Sequence, residues 1–119
     1  MKLIIAGSRD FNDYSLLEKE LNPLNVFIDE IVSGNARGAD TLGERYSLEY
    51  NIPLKIFKAD WNNLGKRAGI VRNHQMGDYA DLLLAFWDGK SKGTKDMIDY
   101  MKKLNKKSKV ILYNQEDLF

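Results

Sequence analysis

The 119-residue chain contains no cysteine and only one histidine. The absence of cysteine excludes disulfide bonds, thiolate nucleophiles and cysteine-ligated zinc. One histidine is also too few for a histidine-rich metal site. The sequence shows no signature of a bound cofactor either, so we expect neither a metal nor a cofactor.

The chain also lacks an excess of charge and long apolar runs. Eighteen basic and seventeen acidic residues give a net charge of +1, whereas a dedicated duplex-DNA binder usually carries a strong basic excess. The apolar run near the N-terminus, Leu3 to Ala6, is shorter than the roughly 7–15 residues of a signal peptide. No run approaches the ~18 residues of a membrane span. We therefore expect a cytoplasmic protein without membrane association, and nucleic acid is disfavoured as a partner.

Hydrophobic residues make up 44% of the chain and charged residues 29%, which is typical of a globular domain. The length predicts a single domain over residues 1–119. Short β-rich runs predict five strands, at 2–7, 30–34, 53–59, 81–86 and 109–114. Continuous apolar runs such as residues 82–86 are typical of strands that are buried on both faces, as in a parallel sheet.

Helical patterns lie between the predicted strands. Leucines stripe the first, the second starts near Ala36, the third covers about 65–79, and apolar residues from Met97 to Leu104 line the fourth. Four lysines beside this last stripe, Lys95, Lys102, Lys103 and Lys106, are expected to form a solvated face. The alternation of strands and helices predicts an α/β fold, a three-layer α/β/α arrangement around a five-stranded, mainly parallel sheet.

In such sheets ligands bind beyond the carboxyl ends of the strands, which makes the loops after the strands the candidate sites. After the first strand, Gly7 permits close backbone approach, Ser8 offers a hydroxyl and Arg9 a cationic fork. This loop could equally be a plain turn, with Asp10 or Asn12 capping the next helix.

The loop after the second strand, "SGNARGAD", carries the stronger signal. A helix beginning near Ala36 would direct free N–H groups and its dipole into the cleft, a natural anion site. Arg37 would lie in its first turn, where it could clamp a phosphate. A cation there opposes the helix dipole, and Gly38 in a first turn costs stability relative to alanine. Both features favour a binding role over a purely structural one.

The loop after the third strand contains Asp60 and Trp61, and Trp61 is either a stacking surface or a lid on the core. Further along, Arg72 and Asn73 lie where both could reach the cleft. His74 is expected to be a surface or supporting residue, because no carboxylate lies at a spacing that would orient it.

The loop after the fourth strand, "DGKSKGT", matches neither the Walker pattern nor G-x-G-x-x-G. What remains is a flexible turn at Gly89, followed by Gly93 and Thr94 at the start of a helix, with Ser91 and Thr94 as hydroxyl donors. Together with "SGNARGAD", this loop would place two helix N-termini beside one cleft.

The segments "IIAGSRDF", "SGNARGADTLGERY", "KADW", "GKRAGIVRNHQM" and "ADLLLAFWDGKSKGTKDMI" resemble, in order, the motifs of the YspA-type SLOG family. This Rossmann-like superfamily joins the Smf/DprA proteins with the LOG phosphoribohydrolases. Each motif alone is only modestly specific for the family. The full set, in the family's order across nearly the whole chain, is much more specific.

The chain departs from the family pattern at two positions. Asn35 replaces the second glycine of the second motif, and asparagine tolerates the left-handed conformation that the loop needs. In the LOG motif Gly-Thr-x-x-Glu, the glutamate takes part in N-glycosidic cleavage. Met97 stands at that position and cannot transfer protons, while Asp96 would face about 100° away on the helix.

The resemblance therefore implies a ligand pocket without the LOG catalyst. It implies these ligand-binding residues: Gly7, Ser8, Arg9, Ser33, Gly34, Arg37, Gly38, Asp40, Arg72, Asn73, Asp88, Gly89, Ser91, Gly93 and Thr94. It is also compatible with a homodimer, for which the residues themselves show no interface.

Three functions remain open on the sequence. The first is a non-catalytic module that binds a small nucleotide-derived ligand and acts as a sensor. The second is a nucleotide N-glycosidase or phosphohydrolase that uses Asp40, Asp60 or Asp88. The third is DprA-like binding of single-stranded DNA, supported by a local basic patch of Lys90, Lys92 and Lys95.

Overall fold

A computed structural model describes residues 1–113. Its five strands are β1 (Lys2–Gly7), β2 (Glu30–Ser33), β3 (Leu54–Ile56), β4 (Leu82–Trp87) and β5 (Lys107–Leu112). Its α-helices are α1 (Tyr14–Leu21), α2 (Ala39–Glu49), α3 (Trp61–Leu64), α4 (Ala68–Tyr79) and α5 (Lys92–Lys103). Two 3₁₀ segments, Asn22–Phe27 and Gly65–Arg67, follow α1 and α3.

The strands form one sheet in the order β3-β2-β1-β4-β5, with every pairing parallel. The chain winds outward from β1 to β3 and then crosses to β4 on the other side of β1. The switch point therefore lies between β1 and β4, where an α/β sheet opens a crevice at its carboxyl edge. The predicted fold class is confirmed.

Two apolar layers hold the helices on the sheet. Leu3 and Ile5 face one layer, where Leu17 of α1 and Tyr46 of α2 are completely buried. The alternate β1 side chains, such as Ile4, face the other layer, which α4 and α5 cover. Because successive strand residues point to opposite faces, β1 serves both layers. This gives the three-layer arrangement expected from the alternating pattern.

Several boundaries differ from the predictions. The second helix begins at Ala39 rather than near Ala36, because Gly38 has a φ of +79° and stands before the first helical residue. The third helical pattern is interrupted at Gly65, whose φ is +56°. The third strand is shorter than predicted and the fifth begins earlier, at Lys107. The predicted end of the fifth strand, Asn114, lies outside the described residues.

The edge strands are more exposed than the buried-strand prediction implied. Every residue of β3 is exposed, and of the six residues of β5 only Ile111 is even partly buried. Of the helices between residues 1 and 113, none has the length and apolar character needed to cross a bilayer.

Candidate ligand-binding cleft

Two connected depressions lie at the carboxyl edge of the sheet. We call the first the inner pocket; its volume is about 80 Å³. It is lined by Ala6, Gly7, Arg9, Ala36, Asp40, Arg72, Asn73, Met76, Ser91, Gly93, Thr94 and Met97. We call the second the outer groove; its volume is about 360 Å³. It is lined by Arg9, Gly34, Asn35, Ala36, Arg37, Lys58, Ala59, Trp61 and Arg72. Arg9, Ala36 and Arg72 line both depressions and so form the boundary between them.

Arg72 crosses the cleft from α4 to the loop after β2. Its Nη1 donates to the carbonyl oxygen of Gly34 at 2.7 Å, and its Nε donates to Oδ1 of Asn73 at 3.2 Å. Burial lowers the pKa of the guanidinium, and the nearby Asp40 carboxylate opposes that shift. A Cβ on Gly34 would lie 3.0 Å from the Arg72 side chain and 2.8 Å from the Asp40 carboxylate. Glycine at position 34 is what permits this close approach.

Asn73 ties α4 to the N-terminal end of α5. Its Nδ2 donates to the carbonyl oxygen of Gly93 at 3.1 Å and to Oδ2 of Asp96 at 3.2 Å. The other oxygen of Asp96 lies 3.3 Å from Nε2 of His74, whose ring stacks on Tyr100. The expectation that no carboxylate orients His74 is therefore wrong, because the partner comes from another helix. His74 does not line either depression.

Asp40 is a buried carboxylate in the wall of the inner pocket. Its Oδ2 accepts a hydrogen bond from the N–H of Ala36 at 3.3 Å. Burial raises the pKa of Asp40 to about 6, and the Ala36 N–H and the charge of Arg72 act against that rise. Close to neutral pH this group can therefore both hold and release a proton.

The start of α2 abuts the loop after β1. The N–H of Ala39 donates to the carbonyl oxygen of Ser8 at 3.4 Å. A Cβ on Gly38 would come within 2.3 Å of the same oxygen, so this backbone contact requires glycine. Arg37 consequently lies in the turn before α2 and not in its first helical turn as predicted; it is exposed and lines the outer groove.

The start of α5 is built by side chains of its own loop. Oδ1 of Asp88 accepts from the N–H groups of Lys90 and Ser91, both at 2.8 Å. These bonds lower the pKa of Asp88. Ser91 then caps the helix, with its Oγ accepting from the N–H of Thr94 at 3.4 Å. The hydroxyls of Ser91 and Thr94 lie 3.1 Å apart at the wall of the inner pocket.

The fifteen residues predicted for the pocket thus divide into three groups. Ten line the inner pocket or the outer groove: Gly7, Arg9, Gly34, Arg37, Asp40, Arg72, Asn73, Ser91, Gly93 and Thr94. Ser8 and Asp88 line a neighbouring depression that shares Arg9 with the inner pocket, and the Ser8 hydroxyl accepts from the N–H of Asp88. Ser33, Gly38 and Gly89 shape the loops; the Ser33 hydroxyl, for example, donates to Glu44 at 2.7 Å.

The pocket prediction omitted five residues of the outer groove, and among them are the two large side chains Lys58 and Trp61. Both follow β3, which pairs with β2, so the carboxyl end of β3 lies beside the loop after β2. Trp61 is 52% exposed, which excludes the alternative of a lid on the core. For Trp61 the available signal was its position directly after the predicted third strand, whereas Lys58 fell within that predicted strand and became a loop residue only because β3 ends at Ile56.

Met97 is buried and lines the inner pocket, at the position where the LOG motif has glutamate. Among the three carboxylates considered for catalysis, Asp40 alone lines the inner pocket. Asp60 caps α3, and Asp88 holds the turn before α5.

Residues 1–64 match the model of the YspA, cpYpsA-related SLOG family. The chain belongs to this family. The matched segment contains the loops after β1 and β2 and reaches Trp61, so it includes every residue of the outer groove except Arg72. The resemblance inferred from the sequence motifs is confirmed.

This SLOG-family chain is also similar in sequence to two other proteins and in fold to one solved structure. The Gene 61 protein of Mycobacterium phage D29 is 35% identical over 106 residues, covering 79% of this chain and 82% of that protein. The tRNA modification GTPase MnmE of Clostridioides difficile (strain 630) is 26% identical over 122 residues, covering 99% of this chain but 26% of that protein.

DNA processing protein A (DprA) from Streptococcus pneumoniae superposes with a TM-score of 0.78 at 15% identity, covering 99% of this chain and 51% of that one. At this identity the likeness shows a shared fold.

Proposed function

We propose that this SLOG-family protein binds a nucleotide or nucleotide-derived phosphorylated ligand and acts as a sensor without catalysis. The observation that carries the proposal is the convergence of cations on one cleft. Arg9 and Arg72 line both depressions, and Arg37 and Lys58 line the outer groove. In a chain with a net charge of only +1, this concentration favours an anionic ligand, and arginine matches phosphate geometry closely.

The sizes of the two depressions support the same ligand class. The inner pocket, at about 80 Å³, is the smaller and more enclosed of the two depressions. Its size and its hydroxyl and guanidinium lining suit a phosphoryl group. The outer groove is several times larger and more open, which suits the remainder of a nucleotide.

A sensing role is supported by the links around the pocket. Arg72 joins the loop after β2 to α4, and Asn73 joins α4 to the start of α5. A ligand that draws the Arg72 guanidinium away from Gly34 would change the first of these links. Occupancy would then alter the packing between three elements, which a partner protein could detect.

The test is thermal unfolding with AMP, ADP-ribose and ribose 5-phosphate at millimolar concentration. A ligand at 100 times its dissociation constant stabilises the folded state by about 2.7 kcal/mol. Arg9→Ala, which removes a cation that lines both depressions, should abolish most of the shift, whereas Lys103→Ala, which removes an exposed cation at the far end of α5, should not. No shift with any of the three compounds in the wild-type protein would contradict the proposal.

A second candidate function, nucleotide N-glycosidase or phosphohydrolase, is favoured by Asp40. It is a buried carboxylate in the inner pocket with a pKa of about 6, a value suited to proton transfer near neutral pH. The protein would be incubated with AMP and the products separated by chromatography. Release of adenine, ribose 5-phosphate or phosphate that Asp40→Asn abolishes would establish catalysis. If the AMP remained intact, the result would count against catalysis and would be consistent with ligand binding only.

The names of two similar proteins refer to nucleic acid, DNA processing for DprA and tRNA modification for MnmE. The exposed Lys90 and Lys92 flank Ser91 at the mouth of the cleft, where a strand could pass. Titration with a single-stranded oligonucleotide at two salt concentrations tests this role. Affinity that falls steeply with salt would favour it, and absent binding would exclude it.

A further inference from the structure

The outer groove contains a large aromatic side chain, Trp61, that is not buried in the hydrophobic core. Trp61 is the first residue of α3 and is 52% exposed. Asp60 caps this short helix, with Oδ1 accepting from the N–H of Asn63 at 3.2 Å. The side chain of Asn63 donates to the other carboxylate oxygen at 2.9 Å. These two hydrogen bonds restrain the backbone that carries the indole, while about half of the Trp61 surface is open to solvent.

Gly69 of α4 helps to place the indole. A Cβ on Gly69 would lie 3.4 Å from Cη2 of Trp61 and 3.9 Å from Nη2 of Arg72. The far edge of the indole and the Arg72 guanidinium thus approach the same glycine, and both border the outer groove. Because Arg72 also lines the inner pocket, one ligand could contact the indole and the inner pocket at once.

We infer that Trp61 is the stacking surface for the base of a nucleotide whose phosphate occupies the inner pocket. This inference rests on the proposed function and adds the class of ligand, one with an aromatic base and not a bare phosphosugar. A nucleobase gains affinity by stacking on an exposed indole, and the gain varies little with the identity of the base because every base has a π-face.

The positions of the cations fit this orientation. Lys58 and Arg37 line the outer groove but not the inner pocket. They would contact the ribose or a second phosphate of a ligand that spans both depressions. The hydroxyls of Ser91 and Thr94 and the guanidinium of Arg9 surround the phosphate end. The same chemistry, a base on Trp61 and a phosphate at Arg72, is offered by a free nucleotide and by a single-stranded nucleic acid.

The experiment compares AMP with ribose 5-phosphate, which has the same phosphate and sugar but no base. Calorimetric titrations would use the wild-type protein, Trp61→Ala and Trp61→Phe. Leu48→Ala serves as the matched control, because Leu48 is an 80% exposed apolar residue of α2 that does not line the outer groove. A short oligonucleotide forms a further arm.

We expect Trp61→Ala to weaken AMP binding about 5- to 150-fold, the range for loss of one base–aromatic stack. Its affinity for ribose 5-phosphate should be unchanged. Trp61→Phe should retain most of the AMP affinity, and Leu48→Ala all of it. A Trp61-dependent affinity that is higher for the oligonucleotide than for AMP would support the stacking role and assign nucleic acid as its source.

Two results would overturn the inference while the proposed function stands. AMP and ribose 5-phosphate could bind equally well, with Trp61→Ala weakening neither, or Trp61→Ala could weaken both to the same extent. The first would show that the base makes no contact with Trp61, and the second that Trp61 only supports the fold of the cleft. If none of the probes bound the wild-type protein, the proposed function itself would fail.

Discussion

The guanidinium of Arg72 donates from Nη1 to the carbonyl oxygen of Gly34 across 2.7 Å, which connects α4 to the loop after β2. The same side chain lines both the inner pocket and the outer groove. Arg72 therefore has a structural contact as well as a place in the cleft. Arg37, by contrast, is exposed and lines the outer groove alone.

Replacing each of these two arginines with alanine should affect ligand binding in the same direction but the free energy of unfolding to different extents. Either substitution should weaken binding of a ligand with two phosphates, such as ADP-ribose, by about 1.5–3 kcal/mol, the usual contribution of a hydrogen bond to a charged group. Arg72→Ala should also lower the free energy of unfolding by about 1–3 kcal/mol, because it leaves the Gly34 carbonyl without this donor. Arg37→Ala should change the free energy of unfolding by no more than about 0.5 kcal/mol. Calorimetric titration and urea unfolding would measure the two effects. Equal stability losses would contradict the assignment.

Two glycines with positive φ should differ in how much unfolding free energy is lost when each is replaced by alanine. Gly38 has a φ of +79° and Gly89 a φ of +81°. A Cβ on Gly38 would meet the Ser8 carbonyl oxygen at 2.3 Å, whereas a Cβ on Gly89 meets nothing within 4 Å. Gly89→Ala should therefore cost about 1–2 kcal/mol from backbone strain alone, and Gly38→Ala clearly more. Urea unfolding would compare them, and similar losses would show that the Ser8 contact adjusts easily.

The buried carboxylate of Asp40 predicts a pH dependence of stability. Its pKa rises from 3.8 to about 6 on folding, so between these values the folded state binds more protons than the unfolded state. The contribution of Asp40 to stability is thus undiminished below pH about 4 and is lost as the pH rises through about 6.

Asp40→Asn removes this titration and keeps an oxygen that can accept from the N–H of Ala36. Relative to the wild type, its unfolding free energy should increase by roughly 2 kcal/mol between pH 4 and pH 7.5, at 1.36 kcal/mol per pKa unit. Urea unfolding at both pH values would measure this change. A difference that does not vary with pH would mean that Asp40 keeps an ordinary pKa.

Lys106 predicts a stability effect that the solvated-face interpretation did not anticipate. Its Nζ donates to the carbonyl oxygens of Gly77 at 2.8 Å, Asp78 at 3.1 Å and Ala80 at 2.8 Å, at and just beyond the C-terminal end of α4. A cation here satisfies terminal carbonyls and interacts favourably with the helix dipole. Lys106→Met should lower the unfolding free energy by about 1–3 kcal/mol. Lys103→Met, at an exposed position, is the control, and equal effects would refute the capping role.

The sequence predicted the fold because the relevant signals are local. Alternating apolar runs and helical stripes specify the type of each element, and the right-handed crossover rule leaves few arrangements for a chain of this pattern. The ordered motifs likewise identified the family. Boundaries were less accurate where one residue decided them, as Gly38 does at the start of α2.

The candidate site depended more on tertiary structure. The sequence placed Arg72 and Asn73 near the cleft, but their partners Gly34 and Gly93 lie 38 and 20 residues away along the chain. His74 and Asp96 come together only because α4 and α5 pack side by side. Such pairs cannot be predicted from the spacing of residues within a single helix or strand.

By itself, then, the sequence determined the parallel α/β sheet, the family and the loops at which polar residues gather, because hydrophobic periodicity and motif order are properties of neighbouring residues. Tertiary structure alone decided that Trp61 and Lys58 join Arg37 and Arg72 around one groove, and that Asp40 is buried beside them. The reason is physical: strand order brings the carboxyl ends of β1, β2, β3 and β4 to one edge, and solvent exposure exists only once the chain has packed.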